Sequence, residues 1–542
     1  MEKKDSFGIK KRNVIYIMLF IFLILGGYLR IYHLNYPTIG YHNLKENEYL
    51  DEAYFFKTEG NWLHKQAFAF SGFDEGNAYH EEYSEVPYVS YLTAGLWIAF
   101  GESVWLPRLF MIFFMLGSIL MTYFVVRRLT SNEYLALLSS FLITIMPLGI
   151  YFGRNVQPES PGLFLILLTA YFFMVWIDTN ERKNIMYAGF AFSIAWGLKY
   201  TFGIIAVPLL FIFPFREMKD KLKHHSKEFW SDMKYLFYGI VPGIITTLVY
   251  ELTVTDRTKV GYLIDIFRIF STDYWKTRWP ALMSYFNDNY TMWFLWFAIF
   301  GFAFALLKYR TRFSRFLIGY VISVFIYVDL MAAKIGGHSY YQMPFLPLIC
   351  ILSAYFLFCL GTLMKQVSGN KFAIYVPLFL IILAIPSMQA ANDRVWGTNF
   401  YGQDFIGEYL KTRLSPGERL GAATHAQDLA VCSYSKHRCG FSSTLEEFSL
   451  KEQVFNINYI YVGVSEMNKL EGKDPLWVYI KNNYKIDLVG LMEANNQLVP
   501  MHIVLKKGGT FNFNDVINKQ PQLAKTYDTK QGPVSYYYIQ NI

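Results

Sequence analysis

The chain has 542 residues, of which 54% are hydrophobic, 19% aromatic and only 17% charged, and its mean hydropathy is positive at +0.22. That balance excludes an ordinary soluble protein of this length and points to a multi-pass membrane protein. The net charge of +8 does not imply a nucleic-acid partner, because the basic residues lie mostly in short loops between apolar blocks, the positive-inside distribution.

In chain order, the first membrane-length apolar run is Val14 to Tyr28, preceded by Lys10, Lys11 and Arg12. No small-residue cleavage site follows, so it reads as a retained signal anchor with its N-terminus inside. It exits near Arg30 and Tyr32 into an outer loop spanning residues 33 to about 102. Tyr88 to Phe100 within that loop is apolar but far shorter than the ~20 residues a span requires, which predicts an interfacial or re-entrant helix. Further crossings are predicted at approximately 104–126, 134–152, 161–178, 185–198, 201–215, 235–254, 291–307, 316–333, 343–364 and 372–390, about eleven in all. This register puts Arg127, Arg128, Arg182, Lys183, REMKDKLKHHSK after Phe215 and KYRTRFSR from Lys308 in the cytoplasm.

From about Ala391 the apolar blocks stop. Short β-like runs at Tyr459, Ile486, Met501 and Val534 alternate with helix-like stretches such as DFIGEYLKTRL at Asp404, which predicts an α/β domain over 391–542. An odd span count places that domain outside the cytoplasm. The expected architecture is therefore an all-α polytopic membrane region over 1–390 with an extracytoplasmic α/β domain after it. Cys350 and Cys359 sit in an apolar block and read as packing residues. Cys432 and Cys439 lie seven apart in the polar region and are either free or, if exported, paired.

Chemistry is expected in the outer loops. The segment KENEYLDEAY, Lys45 to Tyr54, is dense in acids that neither insertion nor packing requires. For most of them a solvated amphipathic helix on the membrane surface is the expectation, with Glu48 and Glu52 sharing one face at i, i+4. Glu46 stands apart because of its pattern: Glu46, Tyr49 and Ala53, followed by PYVSYLTAGLWIAFGESVWLPRL. Three more outer-side phrases follow in order: GRNVQPESP from Gly153, GLKYTFGIIAVP from Gly197 and GGHSYYQMPFLPL from Gly336.

Together these phrases, over residues 15 to 390, resemble the GT-C-fold glycosyltransferases that use lipid-linked sugars, in the glycosyltransferase family 39-like branch of protein O-mannosyltransferases and lipid A aminoarabinose transferases. Where that branch often carries an Asp-Glu pair, this chain has Lys45-Glu46. The C-terminal region shows no matching phrase. The resemblance implies a hexosyl or pentosyl transferase that moves a sugar from a polyprenyl-phosphate donor to a lipid, polysaccharide or protein acceptor on the outer side, by direct displacement with inversion. Such a transfer needs a carboxylate to take the acceptor's proton and cations to meet the departing phosphate. Glu46 is the expected base, with Glu159 assisting or orienting substrate. Arg154, Lys199, Arg268, Lys334 and His338 are the candidates for the phosphate, and Tyr340 and Tyr341 for phosphate or sugar; snorkelling cations and interfacial tyrosines are the plain alternatives. The acids leave a divalent metal open, indistinguishable in sequence from a phosphate held by Lys and Arg alone. A transporter or flippase of lipid-linked saccharides is the rival reading, although its ionisable groups belong at mid-membrane.

Overall fold

The computed structural model describes residues 2–69, 85–253, 271–370, 372, 375–494, 497–514, 516 and 521–539. In chain order the helices are α1 (Glu2–Ile31), α2 (Asn43–Glu59), α3 (Tyr88–Phe100), α4 (Trp105–Thr130), α5 (Glu133–Ile145), α6 (Pro147–Tyr151), α7 (Glu159–Thr179), α8 (Arg182–Leu198), α9 (Ala206–Phe211) and α10 (Phe215–His224). They continue with α11 (Ser226–Thr253), α12 (Thr272–Leu307), α13 (Arg312–Leu330), α14 (Ala332–Ile335), α15 (Leu346–Ser368), α16 (Val376–Gly397), α17 (Gln403–Lys411), α18 (Ala430–Ser435), α19 (Leu445–Phe455) and α20 (Pro475–Asn483). Two compact units result, one of residues 1–35, 83–89 and 103–395, the other of 36–82, 90–102 and 396–542. The outer-loop helix α2 thus belongs with the C-terminal residues.

The first unit is helical. Among the described residues eight helices are long and apolar enough to cross a membrane, or nine if the pair 200–211 and 215–224, bent by 76°, is one span. This is fewer than the eleven expected. The run expected at 134–152 is cut by Pro147 into α5, of 13 residues, and α6, of 5; α8 has 17, short of the ~20 needed. Proline cannot continue the hydrogen-bond ladder of α5, and the orphaned carbonyls there are met by Arg30. That side chain is fully buried, donating Nε to Gly149 O at 2.8 Å and Nη1 to Thr144 O at 3.2 Å. An arginine that reads from sequence as a helix-exit charge is a cap for a broken neighbour.

The second unit is built on a mixed sheet. Among the described residues its strands are β1 (Leu420–Ala423), β2 (Cys439–Gly440), β3 (Tyr459–Gly463), β4 (Tyr484–Ala494), β5 (Gln497–Lys507), β6 (Gln522–Tyr527) and β7 (Val534–Tyr538), in the order β2-β1-β3-β5-β4-β7-β6. β1 pairs in parallel with β2 and β3, and the other pairings are antiparallel. Alternation along β3 sorts its side chains to two cores: Ile460 and Val462 pack with Phe448, Trp477 and Ile503, whereas Tyr459 and Tyr461 pack with Ile406, Val431 and Tyr536. Cys432 and Cys439 are disulfide-bonded, with Cα atoms 5.8 Å apart, and Cys350 and Cys359 are free.

Candidate active site

In the helical unit, Pro158 caps α7, Glu159 begins it and Pro161 sits in its first turn, where a missing N–H costs nothing. An acid at this position faces the positive end of the helix. Opposite, α8 ends at Lys199, whose extended backbone (φ −164°) breaks the chain before a 3-10 turn, Tyr200–Ile205. The Lys199 ammonium lies 2.8 Å from Glu159 Oε1, with both side chains buried. It also stands 4.1 Å from the ring centre of Tyr341 and 5.2 Å from that of Tyr340, within cation–π range. Gly162 permits this approach, since a Cβ there would lie 2.1 Å from the buried Phe202 ring. Among the described residues, Glu159 Oε2 and both amide atoms of the buried Gln157 have no hydrogen-bond partner.

Tyr340 and Tyr341 stack at 5.0 Å, and the His338 ring lies 5.4 and 5.9 Å from them. Their backbone is held from outside the loop. Tyr285 donates to Gly337 O at 3.2 Å, Asn289 to Ser339 O at 3.1 Å, Tyr290 to Gln342 O at 2.6 Å, Tyr327 to Tyr341 O at 2.8 Å and Tyr320 to Pro344 O at 2.7 Å. Thr291, at φ 59°, breaks α12 immediately after Tyr290, a strained conformation for a β-branched residue. Sequence reasoning missed these clamping residues. They sit inside helices where tyrosine reads as an interface anchor, and only the tertiary fold shows which hydroxyls meet a loop carbonyl.

The structure thus gathers Glu159, Lys199, His338, Tyr340 and Tyr341. Arg154 is buried near them in sequence but sends Nη1 to the carbonyls of Tyr32, at 2.8 Å, and His33, at 2.5 Å. Lys334 is half-buried in the short α14. Arg268 lies outside the described residues.

In the second unit α2 is not the solvated helix expected. Glu46, Glu48, Asp51 and Glu52 are all buried. Glu48 pairs with Lys45 at 2.6 Å, and Glu52 accepts from Ser90 Oγ at 2.6 Å. Asp51 Oδ2 accepts from Ser433 Oγ at 2.7 Å and from Phe68 N at 3.2 Å. Burial pushes the Asp51 carboxyl up to about 7, against the opposing pull of Lys436 and its two hydrogen bonds. The surface expectation fails for Asp51 and Glu52 because their partners, Phe68, Ser90 and Ser433, come from outside α2. Glu46 occupies the first turn of α2, where the helix N-terminus favours its charge. Among the described residues no group of three or more His, Cys, Asp or Glu side chains is arranged to hold a metal ion.

Residues 84–245, which include Glu159 and Lys199, match the model of the dolichyl-phosphate-mannose-protein mannosyltransferase family. Among solved structures, the oligosaccharyltransferase of Archaeoglobus fulgidus superposes with a TM-score of 0.56 at 13% identity, over 90% of this chain and 74% of that one. ArnT from Cupriavidus metallidurans, bound to undecaprenyl phosphate, gives 0.51 at 13% identity, over 91% and 98%. The mycobacterial arabinofuranosyltransferase AftD gives 0.51 at 10% identity, over 95% of this chain and 42% of that one. The chain has the GT-C glycosyltransferase fold. This GT-C protein is an integral membrane protein by its apolar helices and by its fold. No curated protein matches it in sequence.

Proposed function

We propose that this protein transfers a glycosyl group from a polyprenyl-phosphate sugar to an acceptor on the outer side of the membrane. The carrying observation is the buried Lys199 ammonium, set against two tyrosine faces and on one oxygen of Glu159, whose other oxygen has no hydrogen-bond partner among the described residues. A cation so desolvated interacts strongly with an anion brought to it. The matched family acts through dolichyl-phosphate-mannose by its own description, and the oligosaccharyltransferase and ArnT structures include complexes with dolichol-phosphate and undecaprenyl phosphate.

In the reaction proposed, the acceptor's oxygen or nitrogen attacks the anomeric carbon, the bond from that carbon to the phosphate oxygen breaks, and the electron pair leaves with the phosphate, inverting the centre. Glu46 takes the acceptor's proton, and Lys199, held by Glu159, meets the phosphate charge. Arg154, Arg268, Lys334 and His338 are assigned to the phosphate as well, and Tyr340 and Tyr341 to the sugar or phosphate. The second unit, with its disulfide, belongs on the outer side.

Purified protein given polyprenyl-phosphate sugars, with and without an acceptor extract, tests this directly. Release of polyprenyl phosphate that rises with the extract is the expected result; no release from any hexosyl or pentosyl donor would overturn the reading.

A further inference from the structure

A chain of side-chain hydrogen bonds in the second unit ends one helical turn from Glu46. Asp428, buried in the turn after β1, accepts from Gln403 Nε2 at 2.8 Å on Oδ1 and from Thr424 Oγ1 at 2.8 Å on Oδ2. Gln403 Nε2 also donates to Gln427 O at 3.2 Å. With two acceptors fixing its nitrogen, Gln403 must turn Oε1 the other way, and there it accepts from Asn43 Nδ2 at 3.2 Å. The orientation of the Asn43 amide is therefore dictated from Asp428. What is left over is Asn43 Oδ1, an acceptor with no hydrogen-bond partner among the described residues, on a side chain only 2% exposed. A buried acceptor without a donor is costly, and this one is held in place by three consecutive bonds rather than being free to turn away.

Asn43 opens α2 and Glu46 lies three residues on, so the two side chains are neighbours on one helix face. We propose that Asn43 Oδ1 binds a hydroxyl of the reacting substrates beside Glu46, and that Gln403 and Asp428 are positioning residues that keep an acceptor, rather than the amide nitrogen, turned to that hydroxyl. This rests on the glycosyl-transfer reading above. The hydroxyl belongs either to the sugar being moved or to the acceptor molecule, and the assay separates the two.

The test uses the full-length protein in a transfer assay, with polyprenyl phosphate release measured with acceptor and, as slow hydrolysis, without it. Asn43→Ala should lower kcat/KM by roughly 10-fold, the loss of one substrate hydrogen bond in a buried site. A fall in both arms assigns the hydroxyl to the donor sugar, and a fall only with acceptor present assigns it to the acceptor. Gln403→Leu removes the acceptor that fixes the Asn43 amide, which can then turn its nitrogen to the position Oδ1 held. Its loss should fall in the same arm as that of Asn43→Ala, which a general destabilisation would not reproduce. This second variant carries the test if Asn43→Ala fails to fold. Wild-type kinetics in Asn43→Ala would overturn the substrate role, and wild-type kinetics in Gln403→Leu alone would overturn the positioning role. Absence of transfer by the wild-type protein would instead sink the reading on which both rest.

Discussion

The ammonium of Lys199 lies 2.8 Å from Glu159 Oε1, both side chains being buried. Two charges withdrawn from water in this way are held by each other, so either one alone is a liability.

Lys199→Met should therefore destabilise by about 3–5 kcal/mol, because Glu159 is left charged and unpaired, and should abolish transfer. Lys199→Met combined with Glu159→Gln should recover most of the melting temperature without recovering activity. Thermal melting in detergent and donor release read the two effects separately. Recovery of activity in the double variant would show that the cation plays no part in the reaction.

Glu46→Gln retains size and hydrogen bonding but cannot take a proton, and should slow transfer by roughly 100-fold or more. Glu48→Gln is not a silent surface control: it strips Lys45 of a 2.6 Å partner and should lower melting while costing far less activity. Near wild-type turnover in Glu46→Gln would remove it from the base role.

Stability should depend on pH through Asp51. Its carboxyl is raised by burial to about 7 in the folded protein, from an ordinary value of 3.8. Between those values the folded state keeps a proton that the unfolded state has lost, so the contribution is fully present below pH ~4 and is lost as pH rises through about 7. Asp51→Asn, which can still accept from Ser433 and Phe68, should gain stability over wild type as pH goes from 5 to 8, by on the order of 2–4 kcal/mol. A difference independent of pH would mean that Asp51 is ionised throughout.

The disulfide and the topology can be checked on one preparation. Non-reduced peptide mapping should link Cys432 to Cys439, and removing the bond should cost about 2–3 kcal/mol by freeing a short loop in the unfolded chain. Impermeant thiol labelling from outside should reach Lys473→Cys and not Arg310→Cys, both exposed positions. The reverse pattern would put the second unit in the cytoplasm.

Length and alternation made parts of this fold legible in the sequence. The apolar run Tyr88 to Phe100 is a single short helix, ended by Gly101 at φ 88°, and β3, β4, β5 and β7 fall on the β-branched and aromatic runs at Tyr459, Ile486, Met501 and Val534. Phrases at Glu159, Lys199 and Tyr340 marked residues that do converge. What stayed hidden depends on partners distant along the chain. Asp51 is paired with Ser433, 382 residues away, and no local pattern distinguishes a buried acid of that kind from a solvated one. Arg30 likewise looks like a boundary charge until Pro147 breaks the neighbouring helix.

Gly162 carries a consequence for how the pair at Glu159 and Lys199 can vary. The first turn of α7 and the turn after α8 are brought together by a carbon that is not there, since a methyl at 162 would lie 2.1 Å from the Phe202 ring. Spacing and charge are thus under separate control. Substitutions at 159 or 199 alter which ions are held while the gauge stays set, whereas any side chain at 162 resets the gauge while leaving every charged group in place.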